Sequence, residues 1–186
     1  MRTTTWHVAS LTLVLTTAPV CRLVAQSAAV ASPAEWRGWS FLRVGPAQTW
    51  HADTHTRPNA VFDSFGAGIA ASYGGIVGMV RATDNESPCC TDNSPNPIHD
   101  YAVLAGARSR GDRLFVVAAA GIAVTDNADY YSTMHPSRQL APAFDVSAHA
   151  DYRVAGVALA LSGALGPTST RYVAISFGAE LGWFGH

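Results

Sequence analysis

An acyl-transfer centre needs a serine, a histidine and a carboxylate, and Ser147, His149 and Asp145 or Glu180 supply that set. Ser147 and His149 are two residues apart, so on an extended strand they share a face at a spacing of about 7 Å. Without long side-chain reach that is too far for a direct hydrogen bond between a nucleophile and its base, and the sequence predicts no catalytic triad. Asp84, Glu86, Cys89, Cys90, Asp92 and His99 are of metal-ligating types. Their spacing matches no established zinc pattern, so no metal site is assigned to them. The surrounding Asp, Asn, Ser and Pro read instead as a polar loop. Arg110-Gly111-Asp112 spells an integrin-binding tripeptide, but Gly-Asp is also ordinary hairpin-turn chemistry. No cofactor is implied by any motif.

The elements that must position these residues are legible as eight apolar or small segments separated by polar ones. They run from Gly38 to Trp50, Ala60 to Tyr73, Ile76 to Thr83, Asp100 to Arg108, Arg113 to Thr125, Leu140 to Ala150, Arg153 to Leu165 and Arg171 to Phe184. Successive strand side chains point to opposite faces, so period-two alternation identifies strands. The last segment alternates most clearly: Val173, Ile175, Phe177, Ala179, Leu181 and Trp183 form one face, with Tyr172, Ala174, Ser176, Gly178, Glu180 and Gly182 on the other. In the sixth, Asp145, Ser147, His149 and Asp151 oppose Phe144, Val146 and Ala148. The fifth is apolar on both faces, and its Val-Val pair and lack of helix caps favour a strand. Connections after odd segments are long, and those after even segments are tight, at Gly74-Gly75, at Ser109 to Asp112 and near Asp151-Tyr152.

Only 13% of the 186 residues are charged while 48% are hydrophobic, which points to a surface that does not all face water. All twelve basic residues are Arg, the net charge is −1, and no basic run suggests nucleic acid as a partner. The first 25 residues have the layout of a secretory signal peptide: Arg2, an apolar core from Val8 to Val20, then Leu23-Val24-Ala25 before Gln26. Cleavage there would remove Cys21 and leave Cys89 and Cys90, which as neighbours cannot close a long loop. Residues 26–37 read as a spacer and 38–186 as the barrel domain. Past the leader no stretch is long and apolar enough for a spanning helix, so any crossing is made by strands. In lipid every backbone polar group needs an internal partner, and the strands must therefore close. The fold expected is all-β: a closed antiparallel up-and-down transmembrane β-barrel of about eight strands.

With this leader, this loop alternation and the terminal strand Tyr172-Val-Ala-Ile-Ser-Phe-Gly-Ala-Glu-Leu-Gly-Trp-Phe184, the chain resembles the small eight-stranded outer-membrane barrels of the OmpA/OmpX-like class. The resemblance implies an outer-membrane location, contact with outer-membrane lipid, and handling by the barrel-assembly machinery through the aromatic-ended last strand. Here Gly185 and His186 follow Phe184, where that class usually ends on the aromatic residue. An eight-stranded barrel is filled by its own side chains. Arg43, Arg81, Asp145, His149 and Glu180 are accordingly expected to form a polar network in the lumen, with Arg108 and Asp151 near it. Val173, Ile175, Phe177, Leu181 and Trp183 are expected to face lipid. Trp36, Trp39, Trp50, Tyr101, Tyr130, Tyr131, Tyr172, Trp183 and Phe184, near strand ends, suit interfacial aromatic girdles. The functional expectation is a non-enzymatic structural or surface-interaction protein. Its rivals are a soluble periplasmic lipocalin-like barrel carrying an apolar ligand and a lipid-modifying barrel enzyme.

Overall fold

Alternation of large apolar with small or polar side chains, sustained through eight segments, gives strands that can bury one face only by curling round on themselves. The computed structural model describes residues 35–50, 59–86, 98–111, 113–127, 137–166 and 171–183. Its strands are β1 (Trp36–Trp50), β2 (Asn59–Tyr73), β3 (Ile76–Glu86), β4 (Ile98–Arg108), β5 (Leu114–Asn127), β6 (Ser137–Tyr152), β7 (Ala155–Leu165) and β8 (Arg171–Trp183). Each pairs antiparallel with the next, and β8 pairs with β1, closing the barrel. The β1–β8 ladder skips Gly45 and Pro46, the latter having no N–H to donate.

The tight connections lie at one end of the barrel. Tyr73 pairs with Ile76 across Gly74-Gly75, both at positive φ, the conformation a two-residue hairpin loop requires and glycine supplies without strain. The third turn is Arg153-Val154, two residues beyond the place expected from sequence: Asp151 and Tyr152 are still paired, with Gly156 and Ala155. Arg153 adopts a left-handed φ of 59°, a conformation that sequence inspection assigns to glycine or asparagine and therefore overlooks here. At the loop end, β3 and β4 run further than the apolar segments that announced them, because Asp84 and Asn85 keep strand pairing with His99 and Ile98. Loss of hydrophobicity there marks the edge of the apolar band and not the end of the strands.

Outside, the wall is apolar. Leu42, Ile69, Ile76, Leu114, Leu140 and Leu181 are each more than 60% exposed. Inside, Trp39, Phe41, Met79, Leu104, Phe115 and Val117 are buried together with arginines and carboxylates.

Candidate functional site

Alternation sends Arg43 of β1, Arg81 of β3, Asp100 of β4, Asp145 of β6, and Tyr172 and Glu180 of β8 into the lumen. Arg81 is their hub. One of its terminal nitrogens donates to Asp100 Oδ2 and to the Tyr172 hydroxyl, each at 3.0 Å, and the other to Asp145 Oδ2 at 3.3 Å and the Phe144 carbonyl at 3.0 Å. Arg43 reaches the same Asp145 oxygen at 2.8 Å and stands 3.6 Å from Glu180 Oε1, its guanidinium 4.2 Å above the Phe41 ring. Charges taken out of water are tolerable only when paired and hydrogen-bonded in this way.

Nearer the turn end a second row continues from Glu180. Its Oε2 lies 2.7 Å from His149 Nδ1, and His149 Nε2 lies 2.8 Å from Ser147 Oγ. The imidazole is stacked on Phe115 at 4.5 Å, with the Trp39 ring edge-on at 5.7 Å. The separation argued from strand rise is thus overturned: the long imidazole arm leans along the strand and closes the gap to the serine. Ser147, His149 and Glu180 are all hydrogen-bonded in series and all at least 98% buried. Beyond them Asp151, also buried, is flanked by Gly156 of β7 in the same rung. Arg37 and Arg108 close this end, both donating to the Gly111 carbonyl, with Arg108 4.6 Å from the Phe115 ring centre.

Among the described residues the buried arginines Arg37, Arg43, Arg81 and Arg108 are matched in number by Asp100, Asp145, Asp151 and Glu180. Chemically the arrangement can brace strands against one another, hold a proton on His149 or a carboxylate, and present nitrogen and oxygen donors to a cation. On the outer face of β8, Ile175, Phe177, Leu181 and Trp183 are exposed and Val173 is half-buried.

Two residues read as girdle aromatics from sequence are inside: Trp39 is 3% exposed and Tyr172 fully buried. Tyr172 shares the parity of Ser176 and Glu180, and that was the signal to follow. Asp100 was missed as a network member because β4 is mostly apolar or small on both faces. Trp36, Tyr101 and Trp183 do face outward, joined by Tyr73 and Tyr152. Asp84 and His99 pair at 3.1 Å on the outer wall, while Cys89, Cys90, Asp92, Tyr130, Tyr131, Phe184 and the leader lie outside the described residues. Arg110-Gly111 lies in the turn after β4.

A closed up-and-down barrel of eight antiparallel strands, tight turns at one end, apolar outside and ion-paired within, has the architecture of the small eight-stranded outer-membrane barrels. The chain is similar in fold to Neisserial surface protein A, with a TM-score of 0.56 at 8% identity over 77% of this chain and 96% of that one. It is likewise similar to Ail, the attachment invasion locus protein of Yersinia pestis, with a TM-score of 0.54 at 10% identity over 78% of this chain and 99% of that one. Ail in complex with the heparin analogue sucrose octasulfate gives 0.52 at 12% identity over the same shares. No protein-family model matches the chain, and no curated protein matches it.

Proposed function

We infer that this chain resides in a bacterial outer membrane as a non-enzymatic barrel that holds its loops at the cell surface for a partner. The observation that carries the reading is the inversion of polarity. Large apolar side chains cover the outside, which water penalises and hydrocarbon rewards, while four arginines and four carboxylates among the described residues are buried inside. A concavity of about 690 Å³ on the outer wall adds to this. It is lined mostly by apolar residues, Leu42, Phe65, Ala67, Ala82 and Phe177 among them, with Asp84 and His99 at its loop end.

The hydrogen-bonded Ser147–His149–Glu180 row favours bracing over acyl transfer. A nucleophile must meet a substrate carbonyl, and Ser147, 1% exposed, lies among the packed side chains of the lumen. The lipocalin-like reading would need an apolar pocket inside, where this chain packs charge.

The test is extraction of cell envelopes followed by gel mobility with and without boiling. The protein is expected in the outer-membrane fraction, needing detergent for release and migrating differently when unheated. Recovery in the soluble periplasm would reverse the assignment.

A further inference from the structure

Asp151 on β6, Gly156 on β7 and Glu180 on β8 stand in one rung of the barrel wall near its turn end. Glycine makes room in the middle of that rung: a Cβ on residue 156 would meet the Asp151 carboxyl group, which would have to swing aside. Two carboxylates therefore converge over a residue with no side chain. His149 lies two positions before Asp151 on the same inner face, and one donor atom from each of His149, Asp151 and Glu180 lies within 4.8 Å of the others. All three side chains are at least 96% buried.

Asp151 carries the decisive feature, because no N–H or hydroxyl donor reaches either of its oxygens among the described residues, and the group with which it can share a proton is the Glu180 carboxyl. A buried carboxylate left so is costly, and a second carboxylate beside it raises the cost. Arg37 and Arg108 act on Asp151 through space, and Arg43 stands 3.6 Å from Glu180 Oε1. None of the three donates to Asp151.

We propose that His149, Asp151 and Glu180 bind a divalent transition-metal ion of the zinc type. Imidazole and carboxylate donors suit such an ion. Tetrahedral donors at about 2.0 to 2.2 Å from one ion stand about 3.4 Å apart, so side-chain shifts of up to about 1.4 Å convert the cluster into a three-ligand site. His149 Nδ1 and Glu180 Oε2, 2.7 Å apart across a hydrogen bond, would exchange that proton for the ion and part to about 3.4 Å as adjacent tetrahedral ligands. Ser147 completes the site from behind. A neutral imidazole with its proton on Nε2 donates to Ser147 Oγ at 2.8 Å, which frees the Nδ1 lone pair for the ion. The bound ion ties β6 to β8 across β7, and this holds wherever in the cell the barrel resides.

The untagged mature chain, folded in detergent micelles after treatment with chelator, is titrated with Co²⁺ and then Zn²⁺. The expected result is one tightly bound Co²⁺ with visible absorption of a nitrogen–oxygen ligand set, displaced by Zn²⁺, and a Zn²⁺-dependent rise in the temperature at which the compact unheated gel band is lost. D151N and H149Q are each expected to weaken binding about tenfold or more while keeping that band. A folded wild type that binds no Co²⁺ overturns the proposal and leaves a proton shared between the carboxylates. Undiminished binding by folded D151N overturns it too. If neither variant folds, the wild-type spectrum decides, since intense thiolate bands would put the ion on Cys89 and Cys90 and overturn the site.

Discussion

Removing the guanidinium of Arg81 leaves Asp100 with no ionic partner and Asp145 with Arg43 alone, both carboxylates being wholly buried. Breaking a buried pair from one side is far costlier than replacing both partners. Arg81→Met is expected to destabilise by about 3 to 5 kcal/mol in urea unfolding from lipid vesicles, and Asp100→Asn added to it to recover part of that loss. If the double variant is no better than the single one, the pair is not what holds β3 to β4 and β6. On the outer face Phe177→Arg, near the middle of β8, is expected to cost about 2 to 4 kcal/mol, and Leu181→Arg, near the turn end, about 1 or less. Equal costs at the two positions would contradict a lipid-facing wall. The ion network was readable from sequence wherever parity set charge against a clear apolar face, as for Asp145, His149 and Glu180. It was unreadable at Asp100, whose strand is mostly apolar or small on both faces, and the Ser147–His149 contact depends on a side-chain lean that strand rise does not encode.

All eight strands were foreseen, from the period of two where one face is polar and, in the fifth, from its Val-Val pair and lack of helix caps. Their ends were set less well, since hydrophobicity reports the width of the apolar band and not the hydrogen-bond ladder. The turn after β6 shows the difference, for the left-handed residue there is Arg153, whose guanidinium lies 5.3 Å from the Tyr152 ring centre. An L-residue with a side chain pays roughly 1 to 2 kcal/mol for that conformation, against roughly 0.5 to 1 kcal/mol in chain entropy for glycine. Arg153→Gly is therefore expected to be neutral or slightly stabilising, whereas Gly75→Val, at φ 94°, is expected to destabilise by more than 1 kcal/mol. Thermal melts in detergent would separate the two, and a large loss in Arg153→Gly would mean that the arginine's ring contact outweighs its backbone.

At the scale of the whole barrel, the interior is occupied from the Gly111 end to Tyr172, so protein reconstituted in planar bilayers is expected to show no steady conductance. Stable single-channel steps would show that the buried ion pairs open. The loop segments 51–58, 87–97, 128–136 and 167–170 contain a single arginine, Arg57, and no lysine. With so few cations there, little salt-dependent retention on an anionic resin is expected, and strong retention would point to the arginines at the strand ends. Finally, the backbone seam between β1 and β8 is thinnest at Gly45 and Pro46, and just beside that gap Arg43 grips Asp145 and Glu180. Parting the wall there breaks few amide bonds but drags a guanidinium away from two carboxylates in a dry interior. The place where the β1–β8 ladder is interrupted is thus bolted from within, so opening the wall there is harder than its missing backbone bonds suggest.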